Sequence, residues 1–127
     1  MQHIGIDIIE IPRIQKALDE WGEKFLRRVS TTREIDLYPH PTTSLAARFA
    51  AKEAVIKALN AKNQGIGFRD IEILAEPDGK PLITLHGSAQ QLAQKLGINR
   101  LSVSLSHSRE NAVAVALGEM VDAGTSG

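Results

Sequence analysis

The chain has 127 residues, with hydrophobic residues at 43% and charged residues at 24%, which suits one globular domain rather than two independent ones. Its 15 basic residues balance its 15 acidic ones, so no overall field argues for nucleic acid or an anionic membrane, and charge-based recognition has to be local. The absence of cysteine excludes disulfides, thiolate metal sites and cysteine nucleophiles.

No apolar run approaches the length of a membrane span, and the first residues lack the regions of a signal peptide. A cytoplasmic protein is the simplest reading. One domain is expected over residues 1–118, followed by a tail over 119–127 with the composition of a disordered end.

His3 to Glu10 is an apolar, β-branched run expected to form a buried strand. Asp7 interrupts it. A carboxylate there is costly unless it is paired, hydrogen-bonded or bound to a metal, or else caps a neighbouring turn. Gly5, two residues earlier on the same side, leaves space beside it. Pro12 suits the first turn of a helix whose apolar side carries Ile14, Ala17, Leu18 and Trp21. Gly22 breaks that helix, and Glu23 to Val29 forms another turn or two. The basic residues Arg13, Lys16, Lys24, Arg27 and Arg28 gather here, a solvated face or a docking patch.

Thr31 and Glu34 form a capping box for a short helix to about Tyr38, which Pro39-His40-Pro41 ends. Thr43 to Asn60 then predicts a helix of roughly four to five turns, rich in alanine and free of Gly and Pro. Leu45, Phe49, Ile56 and Leu59 share its core side. Ala46, Ala50, Glu53 and Lys57 form a second stripe, in which the acid and the base lie within reach of each other. That stripe suits either a surface ion pair or a small-residue shelf seating a ligand. Gly65-Ile66-Gly67 closes the following loop, a connector or a point of close ligand approach.

Ile71 to Ala75 and Leu82 to His86 predict a hairpin around Pro77-Asp78-Gly79-Lys80. Ser88 is placed as the cap of a helix that ends at Gly97. Leu101 to His107 alternates as a strand. Asn111 to Leu117, apolar on both faces, is expected to be the central one. The fold class is α+β: a small, mainly antiparallel sheet with a long Ala-rich helix and shorter helices packed on one face.

Asp7 on a strand and Glu53 on a helix are a minimal oxygen site for Mg²⁺, which takes one or two carboxylates, several waters and phosphate oxygens. Lys57 lies one turn from Glu53, placed to neutralise phosphate or protonate a leaving oxygen. Arg48 and His107 can add phosphate contacts. No Ser-His-Asp set, zinc signature, Walker loop or dinucleotide fingerprint is present. These residues permit Mg²⁺-dependent chemistry at a phosphate ester or anhydride, provided the fold brings Asp7 and Glu53 together.

Gly5 to Ile14 and Arg48 to Leu59 resemble, in order and spacing, the two signatures of the holo-[acyl-carrier-protein] synthases, the small bacterial type of 4′-phosphopantetheinyl transferase. The match extends over Arg28 to Glu34, Asp70-Ile71-Glu72-Ile73, Gly79-Lys80-Pro81 and Ser104-Leu105-Ser106-His107, to about Gly118. The Asn60 to Gly67 loop is longer than the family's connection.

The resemblance implies that Asp7 and Glu53 hold Mg²⁺ against the pyrophosphate of coenzyme A. It further implies that a serine of apo acyl carrier protein attacks the β-phosphate and that 3′,5′-ADP leaves. Glu53 is then the base, directly or through a metal-bound water, and Lys57 stabilises or protonates the departing phosphate. Arg48 and His107 match positions near the cofactor's phosphates, while Arg13, Arg27 and Arg28 match the surface that meets the acidic carrier. A homotrimer with sites between subunits is also implied. The competing readings are a Mg²⁺-dependent pyrophosphohydrolase or phosphodiesterase that uses water, and a non-catalytic trimeric binding module.

Overall fold

The computed structural model describes residues 2–37, 42–62 and 64–122. The expected helix end at Tyr38, the Pro39-His40-Pro41 break and the tail from 123 onward lie outside the described residues.

Strand β1 (Gln2–Glu10) pairs antiparallel with β5 (Asn111–Glu119), which pairs on its other side with β4 (Arg100–His107). Position β5 is therefore central, as its apolar character on both faces predicts. It runs past the expected end at Leu117, and Asn99 holds the chain just beyond it through hydrogen bonds of 2.7 and 2.8 Å to the Val121 backbone.

The remaining strands, β2 (Ile71–Ala75) and β3 (Pro81–Leu85), form a separate hairpin. Its turn uses Gly79 at φ +90°, a conformation that suits glycine. The single small sheet expected from the sequence is thus two sheets. Helix α5 (Gly87–Lys95) intervenes between β3 and β4 and carries the chain from one to the other. Ser88 does not cap α5. His86 holds the N-cap position, and the Ser88 hydroxyl lies 3.3 Å from Asp70 Oδ2 instead.

Between β1 and β2 lie α1 (Ile11–Trp21), α2 (Glu23–Val29), α3 (Thr32–Leu37), α4 (Thr42–Ala58) and a short 3₁₀ turn, Phe68–Asp70. Pro12 falls in the first turn of α1, where its missing N–H costs nothing. Gly22 separates α1 from α2 at φ +52°. The capping box is present: Thr31 N donates to Glu34 Oε1 at 2.8 Å, and Glu34 N donates to Thr31 Oγ1 at 3.2 Å.

Helix α4 packs across the inner face of the three-stranded sheet. Ala50, Ala51, Ala54 and Ala58 meet Ala114 and Ala116 of β5 in one core, and these small side chains let helix and strands approach closely. Burial runs almost all the way round α4, so the expected division into a core stripe and a ligand shelf fails. Ala46 and Ala50 are fully buried, which removes them as clearance beside a ligand.

The outer face of the same sheet is different. Ile4, Ile6 and Ile8 project from β1 with 65%, 58% and 65% of their surface exposed, opposite Leu117, Val115 and Val113 of β5.

Candidate active site

Gly5 sets the geometry. A Cβ added there would collide with the Ala54 carbonyl oxygen and lie 2.6 Å from the Ala58 nitrogen, so β1 rests directly on the backbone of α4. The space left by the missing side chain is therefore filled by helix rather than by ligand. Asp7 lies two residues further along the same side of β1, while Glu53 and Lys57 immediately precede Ala54 and Ala58. The close approach brings these three side chains together, and the sequence alone could not establish that meeting.

Lys57 Nζ donates to Asp7 Oδ1 at 2.9 Å and to the Ile6 carbonyl at 3.2 Å. The expected partnership of Lys57 with Glu53 gives way to one with Asp7. That hydrogen bond holds the Lys57 ammonium above its usual pKa. The Glu53 carboxyl is pushed up, first by burial and then by the Asp7 charge, with Lys57 and Lys62 opposing.

Asp7 and Glu53 line one cavity of about 350 Å³, with Arg13 at its edge and Ile14, Phe25 and Phe49 as apolar walls. No group of three or more His, Cys, Asp or Glu side chains suited to a metal occurs among the described residues. Two carboxylates facing room for water suit a hard, hydrated cation of the Mg²⁺ kind and not a closed zinc site.

Arg48 and His107 stand elsewhere. Arg48 is 8% exposed and its Nη1 donates to Ser44 Oγ at 2.8 Å. His107 lines a separate cavity of about 490 Å³ with Ser44, Thr43 and Ala47. Ser44 precedes Glu53 by nine residues, roughly 14 Å of helix. Within one chain the residues expected at the phosphates therefore form two clusters, one towards each end of α4.

Arg13, Arg27 and Arg28 are exposed on α1 and α2, as a docking surface requires. Arg27 makes a loose ion pair with Glu23 at 3.8 Å. Arg28 borders an apolar groove of about 570 Å³ lined by Trp21, Phe25, Phe49 and Phe68. The chain's single tryptophan and all three of its phenylalanines meet at this groove, which adjoins the carboxylate cavity through Ala17, Phe25 and Phe49.

One buried charged cluster has no counterpart in the sequence reading. Lys52 Nζ donates to Glu34 Oε1 at 2.6 Å and to the Val29 carbonyl at 2.7 Å, both side chains being almost fully enclosed. Glu34 Oε2 accepts from Ile73 N at 2.9 Å, and Thr31 Oγ1 donates to Glu72 Oε2 at 2.6 Å. Burial pulls the Lys52 ammonium below its usual pKa, with Glu34 opposing. The capping box was the available signal: its glutamate is fully buried, so its charge needed a partner beyond the Thr31 amide.

Residues 3–116 match the model of the 4′-phosphopantetheinyl transferase superfamily. The chain is 49% identical over 121 residues to a holo-[acyl-carrier-protein] synthase of Herpetosiphon aurantiacus, covering 90% of this chain and 95% of that one. It is 51% identical over 120 residues to the enzyme of the same name from Dehalococcoides mccartyi, covering 94% and 99%. The crystal structure of the Helicobacter pylori holo-[acyl-carrier-protein] synthase in complex with coenzyme A superposes with a TM-score of 0.82 at 38% identity, covering 91% and 99%. The Plasmodium yoelii acyl carrier protein synthase with ADP bound gives a TM-score of 0.86 at 27% identity, covering 96% and 99%.

Proposed function

Since the chain belongs to the 4′-phosphopantetheinyl transferase superfamily, we propose that it transfers the 4′-phosphopantetheine group from coenzyme A to a serine of an apo acyl carrier protein. The observation that carries the mechanism is the meeting of Asp7, Glu53 and Lys57 at the crossing of β1 and α4. Asp7 and Glu53 would hold Mg²⁺, whose donor requirements the two carboxylates and their cavity fit. Bound there, the ion would neutralise charge on the pyrophosphate of coenzyme A.

The serine oxygen forms a bond to the β-phosphorus while the bond from that phosphorus to the bridging oxygen breaks, releasing 3′,5′-ADP. Glu53 takes the hydroxyl proton, a role suited to a carboxyl whose pKa burial and Asp7 raise. Lys57 supplies positive charge to the departing phosphate. Such a transfer needs in-line positioning and charge stabilisation, with no covalent enzyme intermediate.

Arg13 at the carboxylate cavity, Arg28 at the aromatic groove and the exposed Arg27 beside it in sequence receive the acidic carrier. The two clusters along α4 are joined in a homotrimer, where Arg48 and His107 of one copy complete the phosphate site of its neighbour. The exposed isoleucines of β1 supply the apolar face for that assembly. The experiment is Glu53→Gln. It loses transfer while melting as the wild type does; a variant that folds and transfers normally overturns the assignment of Glu53.

A further inference from the structure

Lys57 occupies one oxygen of Asp7, a carboxylate assigned above to the metal. Its ammonium lies 2.9 Å from Asp7 Oδ1, and Asp7 is only 16% exposed while Lys57 keeps 50% of its side chain in solvent. The acid is therefore fixed on a strand that rests on helix backbone, whereas the base is a flexible four-carbon stem reaching in from water. A second acceptor, the Ile6 carbonyl at 3.2 Å, steadies the ammonium in this position. Glu53 and Arg13 also line the cavity, and Lys62 acts on Glu53 from nearby. One carboxylate oxygen cannot hold a divalent cation and an ammonium together without strong like-charge repulsion.

We infer that Lys57 is an exchangeable placeholder. It neutralises Asp7 before the divalent cation arrives, yields the carboxylate to that cation, and carries its charge over to the phosphate of coenzyme A. This rests on the metal site proposed above. The exchange makes the two ligands cooperative. Metal binding alone strands an ammonium beside a dication, whereas coenzyme A gives that ammonium a new anionic partner. Each ligand then tightens the other by the same factor.

The test is Mn²⁺ binding to the full-length protein, followed by the electron paramagnetic resonance of free Mn²⁺, with and without coenzyme A and without any carrier. Lys57→Met, at a half-exposed position, should bind Mn²⁺ in the absence of coenzyme A about threefold to tenfold more tightly than the wild type, the range expected from a weak ion pair and one removed like charge. Lys57→Arg, which keeps the charge, should bind as the wild type does. Coenzyme A should tighten Mn²⁺ binding in the wild type by a larger factor than in Lys57→Met. Equal Mn²⁺ affinity in the wild type and Lys57→Met, with binding abolished by Asp7→Asn, overturns the exchange and leaves the metal site standing. Mn²⁺ binding indifferent to both Asp7→Asn and Glu53→Gln overturns the metal site itself, and the exchange with it.

Discussion

Gly5→Ala is the substitution through which the fold speaks most directly to the site. The added methyl would lie 2.6 Å from Ala58 N and closer still to Ala54 O, far inside the 3.4 Å at which ordinary contact begins. Both obstacles are backbone atoms of a buried helix, so no rotamer change relieves the clash, and β1 has to move away from α4. Overpacking of this kind costs about 1–3 kcal/mol, and a rigid backbone neighbour argues for the upper end. For a domain of this size, about 3 kcal/mol corresponds to a fall in Tm of roughly 10 °C. The same movement carries Asp7 away from Glu53, and a misplacement of about 1 Å can cost on the order of a hundredfold in rate. Thermal melts and carrier-protein modification, both measured well below the lowered Tm, separate the two effects. A variant with lost stability but full turnover would show that the close approach supports the fold and not the site. A variant unchanged in both would refute the reasoning altogether.

Four further sites can be tested by substitution. Lys52→Met leaves Glu34 buried without its counter-charge and should destabilise the protein by about 3–5 kcal/mol, whereas Lys52→Met combined with Glu34→Gln should recover much of that loss in denaturant titrations. Burial alone would push Glu72 up, but hydrogen bonds from Thr31 and His86, helped by Arg33, hold its carboxyl below the ordinary value of 4.5. Its contribution to stability is therefore present above that pH and lost as the pH falls below it, and Glu72→Gln should flatten the acid side of a Tm–pH profile. Arg13→Glu should raise KM for the carrier by about tenfold with KM for coenzyme A unchanged, since reversing a rim charge acts mainly on encounter; an unchanged carrier KM removes Arg13 from the interface. Ile6→Glu alters a side chain that is 58% exposed, so it should shift sedimentation of the proposed trimer towards the monomer without lowering monomer stability; an intact trimer would place the subunit interface elsewhere.

Asp7 was legible in the sequence because a carboxylate in a β-branched run is expensive without a partner. Glu53 and Lys57 were legible as a pair at helical spacing. Periodicity could not decide which of two acids the lysine would choose. That choice depends on β1 crossing α4 at Gly5, a contact between residues about fifty positions apart in the chain.

The Ala46–Ala50 stripe failed for a related reason. Alanine suits a ligand shelf and a close helix–sheet contact equally well, and the alanines of β5 decide for the contact. The Lys52–Glu34 pair was hidden because the two residues lie on different helices, and a lysine beside Glu53 reads as solvated until α4 is seen to be enclosed almost all round. The central place of β5, by contrast, followed from composition: it is the strand with apolar residues on both faces. Helix rise along α4 already separates Ser44, the partner of Arg48, from Glu53, whereas His107 lies on β4 and its place beside Ser44 depends on the fold.

Mass spectrometry of an apo acyl carrier protein incubated with coenzyme A and Mg²⁺ tests the central claim most directly. With the wild-type chain the carrier should gain one phosphopantetheine group on a serine, and with Asp7→Asn or Glu53→Gln, both folded by their melts, it should gain none. Hydrolysis of coenzyme A without any change in carrier mass, or full modification by both variants, would contradict it.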